Sequence, residues 1–173
     1  MEKSFCFLMI VLFCTGCQNK ADKTEFANFK TEEKIQNQNK ELALEVFKSI
    51  DNNDFEKLGT LFSDDFLLNA PGIQRPWKKT DIFQGVKSFY SSFPDWQHSV
   101  IEMIAEGNKV VVKLTCRGTF KSDYKNIPST GKTVTQDAIH IMTFNNGKVT
   151  DWWALEDNLG FQVQLGLELK PTQ

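Results

Sequence analysis

The chain has 173 residues, a net charge of −2 and an apolar fraction of 40% that includes fifteen Phe. That is enough for one domain with a sizeable core, plus extensions. Lys and Arg are scattered, with no basic stripe and no glycine-rich phosphate loop, so nucleic acid is not an expected partner.

Lys3 and the apolar run from Phe5 to Phe13 form a short export-type leader, too short to span a bilayer. Thr15-Gly16-Cys17 follows, with small residues ahead of a cysteine, as in a bacterial lipoprotein signal whose cysteine is lipidated. Cys14 stands where such signals usually carry Leu, and an ordinary secretory signal is the alternative. On the lipoprotein reading, 1–16 is a removed signal, 17–30 a flexible polar tether and 31–173 the domain. The domain is then exported and held at the bacterial cell envelope by a lipid on Cys17. Removal of the signal leaves Cys116 as the one thiol of the domain, so the core holds it together without an internal disulfide.

A helix is predicted from about Thr31 to Ile50, with Leu42, Val46, Phe47 and Ile50 on one apolar stripe. Asp54 caps a second short helix carrying Phe55, Leu58, Leu61 and Phe62. Phe66 to Asn69 reads as a short strand ended by Pro71-Gly72. Thr80 or Asp81 caps a third helix, which Phe93-Pro94 terminates, because proline disfavours helical geometry in the preceding residue. The rest is mainly strand: Trp96 to Glu106, Lys109 to Phe120, Thr133 to Phe144, and a last strand after the hairpin signal Asn145-Asn146-Gly147. Helices first and strands second imply an α+β domain, with three N-terminal helices packed on a strongly curved antiparallel sheet around an apolar pocket.

The last strand carries the main chemical signal. Asp151, Trp153, Leu155 and Asp157 alternate along it and are expected to share one face. A carboxylate in line with Trp and Leu is a charge on an apolar wall. Facing a cavity, Asp157 would be desolvated and become a candidate general acid/base. It also stands where a helix N-cap is expected, ahead of a short terminal helix. Trp153 is placed to stack on a flat ligand or to join the core. Trp152 then points the other way, toward a partly exposed or subunit-contact surface, which suggests a homodimer. Gln136 and His140 share a strand face and could hydrogen-bond a carbonyl, or simply satisfy each other. Cys116 reads as a small buried hydrophobe and His98 as a solvated residue. The two histidines lack clustered carboxylates, so no metal site is expected.

Four blocks carry a resemblance to a known family: Ser63-Asp64-Asp65-Phe66 to Pro71; Phe93-Pro94-Asp95-Trp96; Arg117-Gly118-Thr119 with Pro128-Ser129-Thr130-Gly131-Lys132; and Gly147-Lys148-Val149 through Trp153, Asp157 and Gln164-Leu165-Gly166. In order and spacing, from about Asn39 to Leu167, the chain resembles the SnoaL-like polyketide cyclases, or ester cyclases, of the nuclear transport factor 2-like fold. The resemblance implies a cone-shaped α+β barrel and a cofactor-free intramolecular aldol cyclisation of an apolar, carbonyl-containing small molecule. It implies Asp157 as general acid/base, with Asn69 and Phe120 lining the pocket beside Gln136, His140 and Trp153. Many relatives carry histidine where Asn69, Phe120 and Trp152 stand here. A non-catalytic binding module and a dimerisation module of the same fold therefore remain open alternatives.

Overall fold

The computed structural model describes residues 15–168, with side chains from residue 23 onward. Most of the expected signal segment, and the side chain of Cys17, lie outside the described residues. The chain divides into two units, residues 1–35 and 36–173. Helix α1, Thr15–Asp51, begins well before the expected start near Thr31. No glycine or proline interrupts it after Gly16, and Lys, Glu, Gln and Ala favour helix even where no apolar stripe marks one. Within the first unit, Thr31 hydrogen-bonds back to the Ala27 carbonyl at 2.9 Å and Lys30 lies over the Phe26 ring. Among the described residues, no helix is long and apolar enough to cross a membrane.

The second unit is the expected α+β domain. Helix α2, Phe55–Leu61, is capped by the Asp54 side chain, which accepts from the Lys57 N–H. Strand β1, Phe62–Asn69, leads to helix α3, Lys79–Ser92. The cap of α3 is Lys78, ahead of the expected Thr80 or Asp81; Asp81 sits one turn inside and accepts the Lys78 N–H at 2.9 Å. Strands β2 (Gln97–Glu106), β3 (Lys109–Thr119), β4 (Thr133–Asn145) and β5 (Lys148–Glu156) follow, and helix α4, Asn158–Leu165, closes the unit.

The five strands form one sheet in the order β1-β5-β4-β3-β2. The four long strands pair antiparallel as expected, but β1 joins β5 in parallel. The helices bury their apolar faces on one side of this sheet. Ala43, Val46, Phe47 and Ile50 of α1 are buried, with Leu58 of α2, Ile82 of α3 and the inward residues of the strands.

The blocks behind the family resemblance turn out to be clasps. Asp95 accepts both the backbone N–H and the hydroxyl of Thr119 at 2.7 Å, fixing the α3–β2 turn to the end of β3. Those hydrogen bonds hold the Asp95 carboxyl below its ordinary pKa. Gly118 is required beside them, since a Cβ there would lie 2.7 Å from the Trp96 ring. Gln164 exchanges hydrogen bonds with the backbone of Thr135 at 2.9 and 2.8 Å and ties α4 to β4.

Candidate functional site

Which side chains face the helices is set by pairing across the sheet, because directly opposed residues share a face. Cys116 opposes both His98 and Gln136; Leu114 opposes Ala138; Ala138 opposes Glu156; and His140 opposes Ala154. These residues line the inner face. Buried and exposed residues alternate strictly along β3, with Val110, Val112, Leu114 and Cys116 inward, and Gln136 and His140 are likewise buried on β4. Burial pushes the Cys116 thiol pKa up, so it stays the protonated, inert hydrophobe the sequence suggests.

Strand β5 departs from the expected facing. Phe144 pairs with Val149, but the neighbouring Thr143 pairs with Asp151. Thr150 is therefore an extra residue, a bulge whose hydroxyl bonds the Thr143 carbonyl at 3.2 Å. One extra residue reverses the alternation beyond it. Val149 points inward, but so do Trp152 and Ala154, while Trp153 and Leu155 point out. Asp157 falls outside the inner face. It is exposed, accepts the Gly160 N–H at 2.8 Å and caps α4. The expectation that Asp151, Trp153, Leu155 and Asp157 form a pocket wall is corrected on this point.

The carboxylate that the bulge turns inward is Glu156. Its side chain is 43% exposed, yet its surroundings desolvate it enough to raise its pKa. Glu156 is thus partly accessible to water while the groups around it disfavour its charged form. Glu156 Oε1 stands 4.0 Å from His140 Nε2, too long for a hydrogen bond. Both His140 ring nitrogens are buried without a partner. Burial, reinforced by the charge of His98, lowers the His140 pKa to about 3, so its ring is neutral at physiological pH. Gln136 approaches Asn158 at 3.4 Å. Trp152, expected to be partly exposed, is buried against the rings of Phe47, Phe62 and His140, with its own N–H unpartnered.

The structure thus keeps Gln136 and His140 on the buried inner face, adds Glu156 to that face, and places the other expected site residues elsewhere. Trp153 is 39% exposed on the outer face. Asn69 is exposed at the end of β1, in register with Trp153. Phe120 is fully buried, stacked on Phe93 in an aromatic cluster with Trp96, Tyr124 and Phe161.

The sequence reading also missed a pair. His98, expected to be solvated, has its Nδ1 2.5 Å from Asp51 Oδ1, and each side chain is only 12% exposed. The Tyr90 hydroxyl lies 3.1 Å from the same oxygen. Burial and the Asp51 charge push the Tyr90 phenol pKa up. Asp51 reads as a helix-ending polar residue, and only the fold reveals its partner. Among the described residues, no group of three His, Cys, Asp or Glu is arranged to hold a metal.

The family model described as SnoaL-like polyketide cyclase matches residues 40–165. Similar solved structures include AclR from Streptomyces galilaeus, at 22% identity and a TM-score of 0.69, covering 76% of this chain and 97% of that one. IdmH from Streptomyces antibioticus follows at 20% identity and a TM-score of 0.70, covering 75% and 99%. A SnoaL-like polyketide cyclase from Agrobacterium tumefaciens has 20% identity and a TM-score of 0.62, covering 74% and 98%. At these identities the likeness is one of fold. No curated protein sequence matches.

Proposed function

Because the chain belongs to the SnoaL-like polyketide cyclase family, we propose that it binds an apolar, carbonyl-containing small molecule on the inner sheet face and performs cofactor-free acid–base chemistry there. The observation that carries this reading is Glu156, a desolvated carboxylate reachable by water and 4.0 Å from a neutral histidine with two unpartnered nitrogens. The role that the resemblance gives to Asp157 passes, on this reading, to Glu156.

The chemistry needs little else. The Glu156 carboxylate takes a proton from the carbon beside the substrate carbonyl, and the C–H electron pair moves into the enolate. A neutral His140 N–H donates to the oxygen on which charge develops. In an aldol cyclisation the enolate carbon attacks a second carbonyl of the same molecule, and the alkoxide formed takes up the proton. The apolar walls orient the substrate and exclude bulk water.

The test uses 2-tetralone, an apolar carbon acid, as probe. Exchange of its α-protons in D2O is followed by proton NMR. Glu156→Gln should lower the protein-catalysed rate by about 100-fold or more, while Asp157→Asn should leave it within about threefold. The reverse order would return the role to Asp157. Wild-type protein that binds the probe but exchanges no faster than buffer would point to the second reading, a binding module without chemistry. The neutral residues at Asn69, Phe120 and Trp152 favour that reading.

The export reading rests on the leader-like run and Thr15-Gly16-Cys17. Expressed in a bacterium with labelled palmitate, the chain should carry label that Cys17→Ser removes. The homodimer reading rests on the outer face. Ile104, Val111, Ile141 and Trp153 lie in one register row across four strands, with Ile104 and Trp153 exposed. A second copy would cover this band. Sedimentation equilibrium should show a dimer that Trp153→Asp weakens by at least about tenfold.

A further inference from the structure

Building on the acid–base reading of the inner face, we infer that Asp51 and His98 form a second proton-handling unit there, with His98 as a catalytic group and Asp51 as its positioning residue. Asp51 is the last residue of α1, and both of its oxygens bond His98 on β2, with the Tyr90 hydroxyl also donating to Oδ1 at 3.1 Å. Oδ1 stands 2.5 Å from the His98 ring Nδ1, and Oδ2 accepts the His98 backbone N–H at 3.1 Å. An ionised carboxylate only accepts hydrogen bonds, so the shared proton sits on Nδ1. Nε2 is then the nitrogen left for a ligand, and no described residue hydrogen-bonds it.

His98 stands on the face where Gln136, His140 and Glu156 stand. It opposes Cys116, which opposes Gln136. The Phe47 ring packs against both imidazoles, at 5.3 Å from His98 and 5.5 Å from His140. The charge of His98 reaches His140 and Glu156, favouring the neutral form of the first and the ionised form of the second. A purely structural clasp does not explain the placement well. A carboxylate at the end of α1 meets the negative pole of the helix dipole, and burial adds a desolvation cost. The imidazole offsets both, and the arrangement fixes one tautomer.

The step balances with Glu156 as its other partner. Glu156 takes the proton from carbon. The imidazolium form of His98 gives its Nε2 proton to the oxygen that has gained charge. An N–H bond breaks, an O–H bond forms, and the imidazole is left as the Nδ1–H tautomer already bonded to Asp51. Water resets both groups through their exposed edges.

The titratable groups facing His98 are Asp51 from α1, Tyr90 from α3, Cys116 from β3, His140 from β4 and Glu156 from β5. Two readouts on the intact domain separate its role from theirs. Long-range nitrogen–proton NMR should show neutral His98 as the Nδ1–H tautomer, and Asp51→Asn should shift it toward Nε2–H. In the 2-tetralone assay, His98→Gln and Asp51→Asn should each lower kcat at least tenfold with KM within about twofold. His98→Gln should also alter the pH–rate profile. If Asp51→Asn does not fold, His98→Gln decides alone, since Gln can still donate to Asp51. Loss of exchange in Glu156→Gln, with an unchanged rate and profile in His98→Gln, overturns the second unit and leaves the proposed function standing. An unchanged rate in Glu156→Gln overturns the proposed function itself, and this inference with it.

Discussion

Acidification should weaken the fold through His140 in a way that one substitution isolates. The ring is 4% exposed, both nitrogens lack partners, and burial holds its pKa down to about 3. In the unfolded chain a histidine titrates near ~6.5. A base whose folded pKa is depressed contributes stability above its unfolded pKa and loses it as the pH falls. Between ~6.5 and ~3 the unfolded chain holds a proton that the folded one refuses, at about 1.4 kcal/mol per pH unit. From pH 7 to pH 5 this group alone should remove about 2 kcal/mol, a large share of the ~5–15 kcal/mol typical of a domain. Urea denaturation of wild type and His140→Gln at both pH values measures it. Glutamine cannot take up the proton, so the variant should lose about 2 kcal/mol less than wild type. Other titrating groups are present in both proteins and cancel. Equal losses, within ~0.5 kcal/mol, would mean that His140 is solvated or already charged in the folded protein. The neutral donor at the centre of the proposed site would then be gone.

Glu156 has its folded pKa raised, so its stabilising contribution is present below the unfolded value and lost as pH rises. Glu156→Gln should match wild type in stability below the unfolded carboxyl's range and exceed it as pH rises through the folded pKa, read as thermal midpoints; a constant difference would argue against desolvation. Gly118→Ala should cost about 1–3 kcal/mol by overpacking, since its Cβ would lie 2.7 Å from the Trp96 ring and 3.1 Å from its Cα. A variant as stable as wild type in urea would show that the turn gives way freely. Asp157→Asn, which keeps a good capping side chain, should change stability by only a few tenths of a kcal/mol, whereas Asp157→Ala should cost about 1 kcal/mol. Equal stability of the two would remove the capping role.

The architecture was readable because burial on β3 and β4 is periodic and because Asp54, Pro94 and Asn146-Gly147 punctuate the chain in ways that local physics dictates. The site was not equally readable, for two reasons. Val-Thr-Asp at the start of β5 gives no glycine to mark a bulge, and both alternating sets beyond it contain tryptophan, an aliphatic residue and an acid. Composition could not choose between Trp152-Ala154-Glu156 and Trp153-Leu155-Asp157; only the pairing with β4 does. Asp51 and His98 are separated by 47 positions and lie in segments whose local patterns are already explained, so nothing in either predicts their meeting. The early start of α1 escaped because a helix without an apolar stripe leaves no periodic trace.

The extra residue at Thr150 has a consequence for descent within the family. A strand that keeps its residues but closes the bulge, pairing Thr150 with Thr143, exchanges its whole inward set for its outward one. The hairpin before it would remain in place. Site chemistry could then turn over by a change of register alone, while the clasp between Asp95 and Thr119 remains unchanged. Two members could align without a gap across the last strand and still present different acids to a ligand. Residue roles along this strand are therefore safer to transfer by pairing to the neighbouring strand than by column in an alignment.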